Sequence, residues 1–156
     1  MSERIPSDEF VAILQETFAR GQQLTFTPSG SSMLPMLDGK TDTVTFSPKP
    51  MHLKKHDVAF YRRPKTGQLV LHRMVGFDKS GGYIFSGDNQ YYYEYGIGEE
   101  DILALMTAFT RKGKPHTPAD LSYRFYIRRM MCRKRLRILA SKVKRKLKSL
   151  VRPNKD

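Results

Sequence analysis

The chain has 156 residues, 39% apolar and 28% charged, enough for one packed domain with a short appendage. A single cysteine, Cys132, excludes an internal disulfide framework and a thiolate zinc site, and of the four histidines His52 and His56 are four apart but lack an H-E-x-x-H pattern or a carboxylate between them. The net charge of +13 sits in the tail, since residues 1–119 hold 14 basic and 13 acidic side chains and residues 120–156 hold 14 and 2; any electrostatic partner is therefore a partner of the tail.

Ser7 precedes Asp8, Glu9 and an apolar set at Phe10, Val11, Leu14 and Phe18. Those spacings predict a helix from about Asp8 to Arg20, with Ser7 as N-cap and Gly21 as the stop. Short strands are predicted at Leu24–Thr27, Thr43–Phe46, Asp57–Arg62, Gln68–Phe77, Tyr83–Ser86 and Asp101–Phe109, separated by Gly and Pro. A polar loop, Ser29-Gly30-Ser31-Ser32, lies between the first two. This punctuation predicts a mainly β fold, a small, bent, barrel-like sheet. From Thr117 the pattern changes. Thr117 suits an N-cap, Pro118 the first helical position, and Asp120 can reach back in capping-box fashion. A long basic amphipathic helix follows, with Leu136, Leu139, Ala140, Val143, Leu147 and Leu150 on one stripe and Pro153 as its stop. Three units are expected: an N-terminal helix in residues 1–21, a β domain in 22–112 and a basic helical tail in 117–152. No segment approaches the roughly 20 apolar residues of a bilayer span, and the N-terminus lacks a secretory pattern. These features point to a cytoplasmic protein, or one held peripherally at the inner membrane surface.

Three short segments in fixed order carry the chemistry: Ser29 to Leu37, Val70 to Val75, and Ser86-Gly87-Asp88-Asn89. Over about residues 24–108 they resemble the peptidase clan that contains type I signal peptidases and the self-cleaving SOS repressors. Its nucleophile motif, S-M-x-P-x-L, is matched by Ser32, Met33, Pro35 and Leu37, and its G-D-N by Gly87, Asp88 and Asn89. Of its G-D-x-V box the sequence His56-Asp57-Val58 retains only Asp57. Val70 to Val75 contains no lysine, and His72 followed by Arg73 resembles the histidine-base signal peptidases of the endoplasmic reticulum and of sporulation.

The resemblance implies a serine endopeptidase with Ser32 as nucleophile and His72 as general base, and no metal or cofactor. The chemistry is consistent, because a serine hydroxyl is a poor nucleophile until a nearby base accepts its proton. Imidazole, titrating ordinarily near ~6.5, supplies a neutral base at cellular pH. Asp88 is the expected orienting acid. Glu94 is the alternative, since the histidine-type family places another acid shortly after G-D-N. The backbone N–H of Ser32 is the expected oxyanion donor, and Gly30 offers no additional hydroxyl. The Tyr91–Tyr95 cluster is expected to pack, and His52, His56 and His116 to be solvated.

Two functions of different class follow. The first is cleavage of a peptide or preprotein bound as an extended strand, with small residues before the cut implied by the resemblance. Signal peptidases carry a membrane anchor ahead of the nucleophile, where this chain has the charged helix Asp8–Arg20, which argues against housekeeping cleavage of exported preproteins and leaves a cytosolic or membrane-adjacent peptide precursor equally open as substrate. The second is an inactive peptidase-fold binding protein docked through residues 120–151 to an anionic membrane, or to nucleic acid. The apolar stripe favours lipid, because a phosphate backbone buries no leucine whereas an acyl boundary does.

Overall fold

The structure, a computed structural model, describes the backbone of residues 6–151 and the side chains through Ser141, together with Val143. The elements run α1 (Ser7–Ala19), β1 (Leu24–Phe26), β2 (Val44–Ser47), β3 (Val58–Arg62), β4 (Leu69–Phe77), β5 (Tyr83–Ser86), β6 (Glu94–Ile97), a 3-10 turn at Glu99–Asp101, β7 (Ile102–Arg111), β8 (Lys114–His116) and α2 (Leu121–Val151). The fold is mainly β, with a helix before the strands and another after them.

The first helix forms as expected, with one change at its start. Pro6, in an extended conformation, occupies the cap position, and Ser7 is already helical with no side-chain cap. At the other end Gly21 N–H donates to the Phe18 carbonyl (2.9 Å) and Gln22 N–H to that of Thr17 (3.1 Å). This is the Schellman pattern a glycine after the last turn permits.

All six expected strands form, and two more join them. β6 lies in a tyrosine-rich run without alternation and is fixed by pairing Phe85 with Glu94 and Tyr83 with Ile97. β8 returns from a turn at Lys112 and Gly113, whose φ values of 51° and 75° are both left-handed. That geometry suits a two-residue hairpin, so the stretch between the expected β domain and the expected tail supplies a strand.

Every pairing is antiparallel, in the order β1-β2-β7-β3-β4-β5-β6 with β8 on β7. The sheet bends without closing into a ring, leaving β1 and β6 at the ends of that path and β8 paired on one side only. Register shifts at Thr45/Phe46, Phe60/Tyr61, Met74/Gly76 and Tyr83/Phe85 supply local twist.

Strand alternation sorts the interior into two cores. Val58 and Phe60 of β3 join the first, where Leu14 of α1 and Tyr123 and Ile127 of α2 are also buried. Ala59 and Tyr61 join the second, with Met74, Phe85 and Ile102.

The start of α2 differs from the sequence reading. Thr117 to Asp120 form a turn in which the Asp120 carboxylate accepts the Thr117 N–H (3.0 Å) and hydroxyl (2.8 Å). Asp120 then accepts the first helical hydrogen bond from Arg124 N–H (3.0 Å), so it occupies the N-cap position. Tyr123, Ile127 and Lys134 are buried on the body, while Leu136, Leu139 and Val143 remain 50–61% exposed. The leucine stripe therefore does not cover the sheet. The side chains of Leu147 and Leu150, and Pro153, lie outside the described residues. Among the described residues no helix is long and apolar enough to cross a membrane.

Candidate active site

β4 positions the site. It pairs with β3 from Leu69 to Arg73 and with β5 from Arg73 to Phe77. Side chains alternate along a strand, so His72 and Arg73 point to opposite faces. Each meets its own acid.

His72 is 2% exposed. Its Nδ1 lies 3.0 Å from Glu94 Oε1 and 3.2 Å from the Tyr61 hydroxyl. Tyr61 in turn donates to Glu94 Oε2 (2.9 Å), and Arg63 donates from Nε (2.7 Å) and Nη2 (2.6 Å) to the two carboxylate oxygens. Burial alone raises a carboxyl, but the hydrogen bonds from Arg63, His72 and Tyr61 outweigh it and hold Glu94 well below the usual carboxylate range. Burial, and then the charge and hydrogen bond of Glu94, push the Tyr61 hydroxyl far above its ordinary value against the opposing charge of Arg63. Glu94 is thus an anion fixed against one ring nitrogen of His72, which fixes the tautomer and leaves the other nitrogen for work.

His72 and Ser32 line one cavity of about 650 Å³. Phe10, Phe26, Phe60 and Leu71 form its apolar wall, and Arg63, Asn89 and Tyr92 also line it. Three of these rings pack edge to face, with Phe10 centred 4.8 Å from Phe26 and 5.5 Å from Phe60. A shared cavity joins Ser32 to His72, rather than a direct hydrogen bond. Such contacts are commonly long before substrate arrives.

Ser32 is half-buried in a loop wound into helical turns, with Leu34 N–H on the Ser31 carbonyl (3.2 Å) and Leu37 N–H on that of Met33 (3.0 Å). Met33, Met36 and Leu37 sink into the first core and hold the loop down, while Pro35 faces outward. The Gly87–Asn89 turn holds it from above. Asn89 N–H donates to the Ser32 carbonyl (2.8 Å) and Asn89 Nδ2 to that of Ser31 (3.2 Å). A Cβ on Gly87 would stand 2.6 Å from the Ser32 carbonyl oxygen, so no other residue fits without displacing the loop.

The expectation for Asp88 is corrected. Its carboxylate accepts Arg73 Nε (2.8 Å) and Nη2 (2.7 Å) and the Tyr126 hydroxyl (3.0 Å), all on the face of β4 away from His72. Arg73 is fully buried and also donates to the His56 carbonyl (2.9 Å) and the Tyr123 hydroxyl (2.7 Å). Burial opposes its charge, but Asp88 outweighs that cost and keeps the guanidinium protonated. Asp88 is therefore an anchor for Arg73 and α2. The acid beside His72 is Glu94.

Four contacts had no sequence signal: Tyr61, Arg63, Tyr126 and Lys134. Lys134, from α2, donates to Ser86 Oγ (2.5 Å) and to the Gly87 carbonyl (2.7 Å). Burial, aided by Arg73 and opposed by Asp88, pushes its ammonium down to about 8. Two other expectations change. Tyr91, Tyr92 and Tyr95 are more than half exposed rather than packed. His56 and His116 are half-buried rather than solvated, His56 with its Nδ1 buried and unpartnered and His116 stacked on the Phe109 ring at 5.2 Å. Among the described residues no group of three or more His, Cys, Asp or Glu side chains could hold a metal ion. Comparison with family models, with curated proteins and with solved structures finds no match to this chain.

Proposed function

We propose that the chain is a serine endopeptidase in which Ser32 is the nucleophile, His72 the general base and Glu94 the orienting acid. The observation that carries this reading is the fixed Glu94–His72 pair opening onto the cavity that Ser32 lines. In the reaction Ser32 Oγ attacks the scissile carbonyl carbon while His72 Nε2 takes its proton. The Ser32 N–H stabilises the oxyanion. The C–N bond then breaks, the imidazolium returns its proton to the departing amine, and water releases the acyl group by the same steps. The motif resemblance of Ser32, Met33, Pro35, His72 and Gly87-Asp88-Asn89 supports this assignment.

The sheet favours an extended substrate. β5 pairs with β4 only from Arg73 onward, so Leu69 to His72 have no strand neighbour on the side away from β3. Those residues also line the cavity. A peptide added there would make main-chain hydrogen bonds that tolerate varied sequences.

The test uses a proteome-derived peptide mixture, with new termini read by mass spectrometry. The intact protein should produce cleavages that Ser32→Ala and His72→Ala each reduce by about 10³-fold or more, with unchanged circular dichroism. Products that persist in Ser32→Ala would overturn the reading. Peptide binding without any Ser32-dependent product would make the chain a binding protein instead.

A further inference from the structure

α2 carries two apolar faces, and the body uses only one. Tyr123, Ile127 and Lys134 are buried against the sheet. On the opposite side Leu121, Phe125, Cys132, Leu136, Leu139 and Val143 are exposed, the two nearest the start by 69% each. At 3.6 residues per turn these six fall within an arc of about 60°, along a line of about 33 Å. Apolar residues scattered singly over a surface mean little, but a continuous line of them marks a contact.

The charge beside that line is of one sign. From Leu121 to Val151 the chain holds 12 Lys and Arg and no Asp or Glu. Helical spacing puts Arg124, Arg128 and Arg135 along one border of the line and Arg129 and Arg133 along the other. Each border opens into a cavity. One, of about 520 Å³, is lined by Lys55, His56, Arg124 and Arg128 together with Leu121 and Phe125. The other, of about 480 Å³, is lined by Arg111, Arg129, Arg133, Lys134 and Arg137. The acids among the lining residues are Asp57 and Asp88, and Asp88 is already taken by Arg73. Burial, with the positive charges of Arg73, Lys55 and Arg135, outweighs Asp57 and holds His56 below the usual imidazole range, as expected in a positive field.

We propose that this outward face of α2 lies in the headgroup layer of an anionic phospholipid bilayer, its apolar line at the acyl boundary and its bordering arginines at the lipid phosphates. A bilayer satisfies both halves of the pattern at once, since long basic side chains reach up to phosphate while the line between them is buried. A nucleic acid would leave the apolar line in water. A second copy laid face to face would set arginine borders against each other.

The chain supplies its own reporter, because Cys132 is its only cysteine and sits exposed on this line. Full-length protein labelled there with an environment-sensitive thiol dye is mixed with vesicles of phosphatidylcholine alone or with phosphatidylglycerol added. Only the anionic vesicles should shift the dye to the blue, and unlabelled protein should co-sediment with them. Salt should weaken that binding while leaving a remainder. The double variant Phe125→Ser, Leu139→Ser should remove the remainder and lower partitioning by about 100-fold, with an unchanged melt because both side chains are exposed. Three results would each overturn the proposal: no binding to anionic vesicles at low salt, binding that salt abolishes and the double variant leaves alone, or a dye shift that follows protein concentration without vesicles. None of these readouts depends on peptidase activity.

Discussion

Asp88 and Glu94 serve different partners because β4 presents consecutive side chains to opposite faces. Glu94→Gln keeps the size of the side chain and removes the anion that orients and supports the imidazole. It should lower kcat/KM by about 10²- to 10⁴-fold under conditions where the variant stays folded, and it should also lower the melting temperature, because Arg63 and Tyr61 lose their anionic partner. Asp88→Asn leaves the Arg73 guanidinium buried without a counter-charge, which should cost about 3–5 kcal/mol in denaturant melts while cleavage persists under conditions where the variant stays folded. If Asp88→Asn loses activity without losing stability, the two roles are exchanged. At this scale the sequence singled out Ser32 and His72 through local motifs, and the fold brings both to one cavity. The sequence named Glu94 only as the alternative to Asp88 for the acid beside His72. That choice depends on which face of β4 each residue takes and on Arg73 being buried, and both follow from pairing across the sheet.

Single elements were legible where short-range rules decide them. Gly21 ends α1, and Gly and Pro bound the six expected strands, so both came out near their true limits. β6 escaped because Glu94-Tyr-Gly-Ile has no alternation, and only the β5 ladder makes it a strand. The loss mattered, since β6 carries Glu94, which lies beside His72. The Ser32 loop and the Gly87–Asn89 turn form one unit through a contact too close for any side chain. Gly87→Ala should push the Ser32 carbonyl aside and lower kcat/KM by about 10²-fold, as displacements near 1 Å do in active sites. Gly76→Ala, where a Cβ meets nothing within 4 Å, should leave the rate unchanged and serves as the control. Equal rates for the two variants would show that the loop tolerates the shift.

For the whole molecule, the charge asymmetry between body and tail was plain from composition, and α2 was visible as a basic amphipathic helix. Which face docks was not visible, because both faces are apolar. Tyr123, Ile127 and the stem of Lys134 won the inner position through fit to the sheet and to the Arg73–Asp88 pair. Lys134 also gives the docking a pH dependence. Lysine in an unfolded chain titrates near ~10.4, and Lys134 near about 8 in the fold. Between those values the unfolded chain keeps a proton that the folded one has released, so this group's contribution to stability rises with pH. Below about pH 8 both states are protonated and the contribution is flat. Denaturant melts of the protein and of Lys134→Met, compared from neutral pH to about pH 10, should diverge, with the lysine form gaining. Parallel curves would contradict that origin. On the acid side the depressed Glu94 carboxyl contributes fully above the unfolded value of about 4.3, and its contribution is lost as pH falls below that.

The neighbouring positions of His72 and Arg73 also bear on how the sheet avoids misassembly. A slip of β4 by one residue against β3 would turn every β4 side chain to the wrong face. Leu71 would leave the first core and Met74 the second. In the same step the imidazole would be carried away from Glu94 and the guanidinium away from Asp88. Apolar burial and both charged pairs fail together in the slipped sheet, so the near-native competitor lies well above the correct fold in free energy. The charged pairs of His72 with Glu94 and of Arg73 with Asp88 therefore also favour the observed alignment of β4 over its one-residue slip.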